Sequence, residues 1–123
     1  MRGDVRVRGR IAAAISEGCE LVTCGPVAME LLAGSNERNA QTIERIISGM
    51  RPLVFDHRED FAGAARLSVI ARSRGLSVRS LVDCLIAYIS LRHDDVIIAH
   101  CDGDFDRLTR ATGLATERWD SAA

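Results

Sequence analysis

Short apolar runs alternate with longer helical patterns along this chain, and that alternation restricts its fold more than any other feature. Strands are predicted in four runs, which read CELVTC at 19–24, RPLVFD at 51–56, DVIIAHC at 95–101 and LATERW at 114–119. The last of these we expect at an edge. Strands that alternate with helices pair in parallel, because each crossover returns the chain to the same end of the sheet. The pattern therefore predicts an α/β domain around a central parallel sheet.

Helical spacing of apolar residues fills the intervals between these runs. Pro26 stands at the first position of one helix, and Gly34 ends it. The helix that begins at Ser80 is apolar nearly all round, so we expect it in the centre of the domain. Helices are predicted at 5–17, 26–34, 36–50, 57–75, 80–93 and 104–113.

Composition excludes several classes of protein. A chain of 123 residues with 47% apolar residues fits one folded domain, 1–123, without a linker. Its net charge of -1 shows no overall excess of basic residues of the kind that nucleic-acid-binding proteins carry. All 16 basic residues are arginine. No apolar run approaches the ~20 residues of a membrane span, and no signal-peptide pattern is present. We therefore expect a cytoplasmic protein.

The four cysteines do not suggest a metal or redox motif. Cys19, Cys24, Cys84 and Cys101 form no C-x-x-C pair and lie in apolar segments. Free cysteine commonly packs as a small apolar residue. We expect all four to be buried thiols.

The segment HCDGDFD, residues 100–106, places three carboxylates directly after a predicted core strand. Parallel sheets collect ligand sites at the carboxyl ends of their strands, so Asp102 and Asp104 are candidate site residues. Structural roles are open for both, since Asp102 could cap the following helix and Asp104 could favour its dipole. Asp106 is interpreted as the partner of Arg110 one turn later. A calcium EF-hand loop is excluded, because its sixth and twelfth positions do not match.

Two further acids lie in apolar surroundings at helix starts. Asp83 interrupts an apolar helix and is either a functional carboxylate or the partner of Ser80 in a capping box. Glu30 follows Pro26 by one turn and could equally be a solvated helix position. In a parallel sheet these acids and the pair after the third strand can converge on one edge. Carboxylates that crowd together need cations, and oxygen ligands select Mg²⁺ or Mn²⁺, which suits phosphodiester hydrolysis.

Three motifs in this order resemble those of the PIN-domain ribonucleases, and most closely the VapC toxins of bacterial toxin–antitoxin pairs. They read GPVAMELLAG, RSLVDCLIA and HCDGDFDRL, and the similarity spans almost the whole chain. The resemblance implies a three-layer α/β fold with a central parallel sheet. It also implies a metal-dependent endoribonuclease that a cognate antitoxin neutralises and that commonly forms homodimers.

Carried over by position, the resemblance makes Glu30, Asp83 and Asp102 catalytic acids and metal ligands. Asp104 is implied as a nearby, often water-mediated, ligand of Mg²⁺ or Mn²⁺. VapC-like chains open with a short apolar strand that ends in a metal-binding Asp, and this sequence has no counterpart of it. The resemblance therefore implies a domain that lacks its first, central strand and is truncated relative to the family pattern.

This departure leaves alternatives to a VapC-like endoribonuclease open. The chain could be an inactive remnant of a PIN domain that retains only antitoxin binding or dimerisation. It could also be an α/β binding module whose acids only cap helices. Such a module would show no effect of divalent ions on its stability.

Overall fold

The computed structural model describes residues 2–100 and 102–119, and within them helices and strands alternate in the predicted order. The helices are α1 (Arg2–Ser16), α2 (Gly25–Ala33), α3 (Ala40–Ser48), α4 (His57–Ser73), α5 (Leu81–Leu91) and α6 (Gly103–Thr112). The strands are β1 (Val22–Thr23), β2 (Arg51–Pro52), β3 (Ile98–His100) and β4 (Thr116–Arg118). The α/β prediction with parallel strands is confirmed.

The strands are shorter than the sequence predicts, and they form separate pairs. β1 lies parallel to β2, with Val22 opposite Arg51, and β3 lies parallel to β4, with Ile98 opposite Thr116. Within the described residues these are two sheets of two strands each, not one continuous sheet. An apolar run indicates an extended, half-buried segment, but a ladder also needs a partner at each position. The absent first strand stays a prediction.

α5 is central, as its apolar sequence predicts. Cys84, Ala87 and Ile89 on α5 are fully buried, and α4 packs along this helix with Leu67 and Ala71 inside. α6 adds its own buried residues to the same core, among them Phe105, Leu108 and Ala111. The helix that carries Asp83 is thereby held from two sides.

Local side chains fix where the helices begin and end. The Asp56 carboxylate caps α4 by accepting the backbone N–H groups of Arg58 and Glu59 at 3.0 and 3.1 Å. α6 ends at Gly113, whose φ of +74° is left-handed and favours glycine. Such signals explain why most predicted helix ends lie within three residues of the observed ones; α3, predicted from residue 36, begins only at Ala40.

A buried ion pair joins the start of α4 to the end of α5, and the sequence pattern gave no indication of it. The Asp60 side chain is fully buried, and it pairs with the guanidinium of Arg92, whose Nη2 donates to Oδ2 at 2.7 Å. The backbone N–H of Asp56 also donates to Oδ2, at 2.8 Å. Arg92 reaches further, to the carbonyl of Val54 at 2.9 Å. This network ties the loop after β2 to both helices.

The cysteine prediction is correct at two positions and wrong at one. Cys24 and Cys84 are buried thiols, whereas Cys19 is exposed. Cys19 precedes β1 in a segment that joins no strand, which leaves its side chain at the surface. Cys101 lies outside the described residues.

None of the helices in the described ranges combines the length and the apolar character that crossing a membrane requires.

Candidate metal centre

The site forms where α5 begins beside the turn from β3 into α6. Asp83 lies in the first turn of α5, and Asp102 is the N-cap of α6 just beyond the carboxyl end of β3. The Asp102 Oδ1 accepts the backbone N–H of Asp104 at 2.9 Å. The capping role considered for Asp102 is therefore real, and the same bond holds its carboxylate at this end of the strand.

Three aspartates come together at this point. One carboxylate oxygen each from Asp83, Asp102 and Asp104 lies within 4.8 Å of the others. Asp83 and Asp104 are 6% and 2% exposed, whereas Asp102 is open to solvent. Two buried carboxylates and one accessible carboxylate can surround a small cation that enters from the solvent side.

Burial and crowding of like charge together disturb the ionisation of Asp83. Burial is the largest cause, and with the charges of Asp102, Asp104 and Glu30 and a hydrogen bond to Asp104 it raises the pKa of Asp83 to about 7. Burial also acts to raise the pKa of Asp104, but the Arg107 guanidinium, the Arg79 amide and the bond to Asp83 outweigh it and lower that pKa. Of the two buried acids, Asp83 therefore holds the proton up to near neutral pH.

Asp104 is already engaged by protein donors. Its Oδ1 accepts Arg107 Nη2 at 2.7 Å and lies 3.9 Å from Arg79 Nε, while its Oδ2 accepts the Arg79 backbone N–H at 3.2 Å. The Ser80 side chain makes no capping bond, and Asp83 is hydrogen-bonded to Asp104. The structure thus favours the cluster over the capping box as the setting of Asp83.

Glu30 joins the same cavity from a third helix. It lies on α2, is exposed, and lines an open cavity of about 320 Å³ together with Asp83 and Asp102. The remaining wall of the cavity is mostly apolar, with Val27, Leu31, Ile86, Ile98 and Phe105. Glu30 is outside the group of three oxygens within 4.8 Å, although its charge acts on Asp83. All four predicted acids are therefore gathered at one edge of the fold.

Sequence reasoning missed the arginines and one ion pair around this centre. Arg107 stands three residues after Asp104, a helical spacing that would have indicated it. Arg79 is distant from Asp104 along the chain, and no pattern connects the two. Asp106 pairs with Arg118 at 2.5 Å instead of the predicted Arg110, because β4 returns beside α6.

The donor set fits a hard divalent cation. All of its candidate ligand atoms are carboxylate oxygens, which are the ligands that Mg²⁺ and Mn²⁺ prefer over softer metals. The raised pKa of Asp83 marks a place where negative charge is in excess, and a cation would relieve it. The centre can therefore bind a cation next to an accessible cavity.

The sequence of this chain is similar to those of known proteins. Residues 3–111 match the PIN domain family. Over 99 residues the chain is 41% identical to VapC ribonuclease Mb1587 of Mycobacterium bovis and to ribonuclease VapC11 of Mycobacterium tuberculosis. Each alignment covers 80% of this chain and 73% of the relative.

Proposed function

Because this chain belongs to the PIN-domain family, we propose that it is a metal-dependent endoribonuclease of the VapC type, which hydrolyses RNA phosphodiester bonds. The relatives that carry the name ribonuclease align with most of the chain, and the aligned length includes at least part of the acidic centre. The observation that carries the proposal is the group of three aspartates within 4.8 Å beside an open cavity.

We assign the cation to Asp83 and Asp102, with Glu30 and Asp104 completing the acidic set. Mg²⁺ or Mn²⁺ is the proposed ion, since the donors are oxygens alone. Asp104, which Arg107 and Arg79 already engage, would act on the ion through water and hold Asp83 in place. A bound divalent ion supplies an activated water and stabilises negative charge on the leaving oxygen.

The chain's own groups contribute binding and orientation. Asp83 would hold the cation in place of its proton, because the ion would supply the charge neutralisation that the proton gives at pH below about 7. Glu30, which lines the cavity and is exposed, would accept a hydrogen bond from water that approaches the phosphate. Ile86, Ile98 and Phe105 form an apolar part of the cavity wall, which would limit the access of bulk water to the acids from that part of the cavity.

We propose RNA as the substrate and a cognate antitoxin protein as the inhibitor, in the cytoplasm. A homodimer is the proposed oligomer. The apolar side chains that the fold leaves exposed, such as Met29, Leu31 and Phe61, are available for such contacts. The inactive alternative would retain these contacts without cleavage.

The test is cleavage of a labelled single-stranded RNA by the full chain, with DNA of the same sequence as the comparison substrate. We expect cleavage of the RNA with Mg²⁺ or Mn²⁺ and none with a chelator. Asp83→Asn and Asp102→Asn should each lower the rate at least about 100-fold, because each removes a charge that binds the cation. The matched control is Asp94→Asn, at an exposed position outside the acidic group, which should cleave like the wild type.

Two outcomes would count against the proposal. Cleavage that survives chelation, or that Asp83→Asn leaves unchanged, would remove the acidic centre from the reaction. A folded chain that binds an antitoxin but cleaves no RNA with either ion would favour the inactive alternative.

A further inference from the structure

His100 is the last residue of β3, and it lines the cavity beside the acidic centre. Its side chain is 3% exposed, and the ring lies 5.2 Å from that of Phe105 between centroids. The residue lines the same cavity as Asp83 and Asp102. A polar ring is thus buried two residues before Asp102, a proposed metal ligand.

The contacts of the ring give its two nitrogens different roles. The backbone N–H of Asp102 donates to Nδ1 at 3.2 Å, so Nδ1 is the acceptor in this contact. Nε2 is buried and has no hydrogen-bond partner in the described part of the chain. The nearest acid, Asp106, is 3.7 Å away and is itself paired with Arg118 at 2.5 Å. Besides its packing against Phe105, the ring is therefore tied to the chain by its hydrogen bond with the Asp102 amide.

We infer that His100 is a positioning residue for Asp102, an inference that rests on the proposed function. Two hydrogen bonds fix Asp102 where the chain leaves β3: its amide donates to His100, and its Oδ1 accepts from the Asp104 amide. Together they set the direction of the carboxylate and leave Oδ2 for a cation. His100 does not bind the ion itself, because the group of ligand atoms contains three aspartates and Nδ1 is occupied by the amide.

The inference makes the acceptor at the Nδ1 position, and not the bulk of the ring, the decisive property. In His100→Asn the side-chain oxygen takes the place of Nδ1 and can accept the Asp102 amide. In His100→Gln the oxygen lies one bond further from the backbone and cannot take that place. The two variants share the same polar group, so they form a matched pair.

The first measurement is Mn²⁺ affinity of the full chain by titration calorimetry. We expect His100→Asn to bind within about threefold of the wild type, and His100→Gln to bind roughly tenfold more weakly or worse, as for other groups that orient metal ligands. Thermal melts of both variants establish that they are folded. A His100→Gln affinity equal to that of the wild type, or a His100→Asn affinity as weak as that of His100→Gln, would overturn the inference.

The second measurement needs no metal. Hydrogen exchange of the Asp102 amide, followed by NMR on the metal-free chain, should be slow in the wild type and in His100→Asn, and at least about tenfold faster in His100→Gln. Fast exchange in the wild type would overturn the contact even if both variants failed to fold, and would leave the proposed function standing. A wild-type chain that binds no Mn²⁺ would instead overturn the proposed function, and the role of His100 in metal binding with it.

Discussion

At the scale of single residues, Asp83 and Asp104 compete for one proton, and their neighbours decide the outcome. Burial and the surrounding acids raise the pKa of Asp83 to about 7. Burial of Asp104 is outweighed by Arg107 and the Arg79 amide, which lower its pKa. Neighbouring carboxyl groups whose pKa values are driven apart are a mark of functional sites.

The first prediction is that Asp83→Asn separates metal binding from stability. Asparagine keeps the shape of the side chain and can still bond to Asp104, but it lacks the charge that a hard cation needs. We expect Mn²⁺ binding to fall at least about 100-fold, while metal-free stability above about pH 7 stays equal or rises, because repulsion with Asp102 and Asp104 is relieved. Calorimetry and urea unfolding measure the two quantities. A large loss of stability with unchanged Mn²⁺ affinity would show that Asp83 is a structural residue.

The sequence predicts the acids of the centre better than it predicts their partners. Asp83 is conspicuous because it interrupts an apolar helix, and Asp102 because it follows a core strand. Arg79 and His100 have no such signal, since the Arg79 amide meets Asp104 only when the segment before α5 packs beside α6, and His100 meets the Asp102 amide only in the turn from β3 into α6. Predicting that Asp106 pairs with Arg110 failed for the same reason: local spacing offered one arginine, and the tertiary fold supplied Arg118.

At the scale of secondary-structure elements, α4 and α5 are joined by a polar network as well as by apolar packing. The Asp60 side chain is fully buried, and it forms an ion pair with Arg92 at the end of α5. Burial acts to raise the pKa of Asp60, but the hydrogen bonds from Arg92 and from the Asp56 amide outweigh it and lower that pKa. The pair therefore stabilises the folded chain only while Asp60 is ionised.

The second prediction concerns Asp60→Asn. Near neutral pH, we expect the free energy of unfolding to fall by about 3 kcal/mol, because Arg92 would face a neutral partner in a buried site. With a folded pKa below the ordinary ~3.9, the contribution of Asp60 is complete above that value and is lost as the pH falls through the folded pKa. The difference in the free energy of unfolding between Asp60→Asn and the wild type should therefore become smaller in acid. Urea unfolding of both proteins at several pH values measures this difference, and a difference that is constant with pH would contradict the prediction. Asp94→Asn, exposed, is the control.

The third prediction concerns the close approach of the same two helices at Gly63. A Cβ atom at this position would overlap the ring of Tyr88, whose hydroxyl donates to Glu59 and accepts from Arg66 at 3.4 Å. We expect Gly63→Ala to displace the ring and cost about 1–3 kcal/mol of stability. Gly9→Ala, with nothing within 4 Å of the added atom, should instead stabilise α1 by roughly 0.5–1 kcal/mol.

Tyr88 reports on this change directly, because it is the single tyrosine of the chain. Its hydrogen bond to Glu59 and its burial raise the pKa of the phenol. Displacing the ring should return that pKa toward the ordinary value of ~10, as measured by ultraviolet absorbance during a pH titration. An unchanged titration in Gly63→Ala would mean that the helices move apart and the Tyr88 contacts survive.

The helices were predicted more accurately than the strands for a physical reason. Helix ends carry local signals, such as Pro26, Gly34 and Gly113, and helical hydrogen bonds form within the segment itself. Strand length depends on partners elsewhere in the chain. The 51–56 run is thus apolar enough to look like a strand, yet its bonds with β1 end at the Leu53 amide, one residue past Arg51–Pro52, while Val54 and Phe55 remain exposed.

At the scale of the whole molecule, the centre unites residues that are far apart in sequence. Glu30 arrives on α2, Asp83 on α5 and Asp102 at the start of α6. The alternation of strands and helices predicted this convergence, because it sends the ends of parallel strands to one edge. It could not predict that the described strands form two separate pairs. A cation held by Asp83, Asp102 and Asp104 would connect α5 to the start of α6, two elements of the core, so we expect it to stabilise the entire domain.

The last prediction is that divalent metal stabilises the whole chain in a pH-dependent way through Asp83. Between the ordinary carboxyl pKa of ~3.9 and about 7, the folded metal-free chain keeps a proton on Asp83 that the unfolded chain has released. Unfolding then releases a proton, so metal-free stability falls as the pH rises through this window, and it levels off above about 7. Below about pH 7 a cation must displace that proton, and its apparent affinity weakens by roughly tenfold per pH unit.

Thermal melts with Mn²⁺, matched in ionic strength to metal-free samples, measure this coupling. At about pH 8 and a free Mn²⁺ concentration 100 times Kd, linkage gives about 2.7 kcal/mol and a rise in Tm of roughly 10 °C. At about pH 5 the same concentration should give little or no rise, since proton and metal compete for Asp83. Glu30→Gln removes one of the charges that raise the pKa of Asp83. With Mn²⁺ at the same multiple of each variant's own Kd at about pH 8, the onset of the metal effect should therefore move to lower pH in Glu30→Gln, whereas Glu44→Gln, exposed on α3, should leave it in place. Equal Tm shifts at both pH values would mean that the cation binds without Asp83. Stabilisation by the metal would then not depend on the acidic centre.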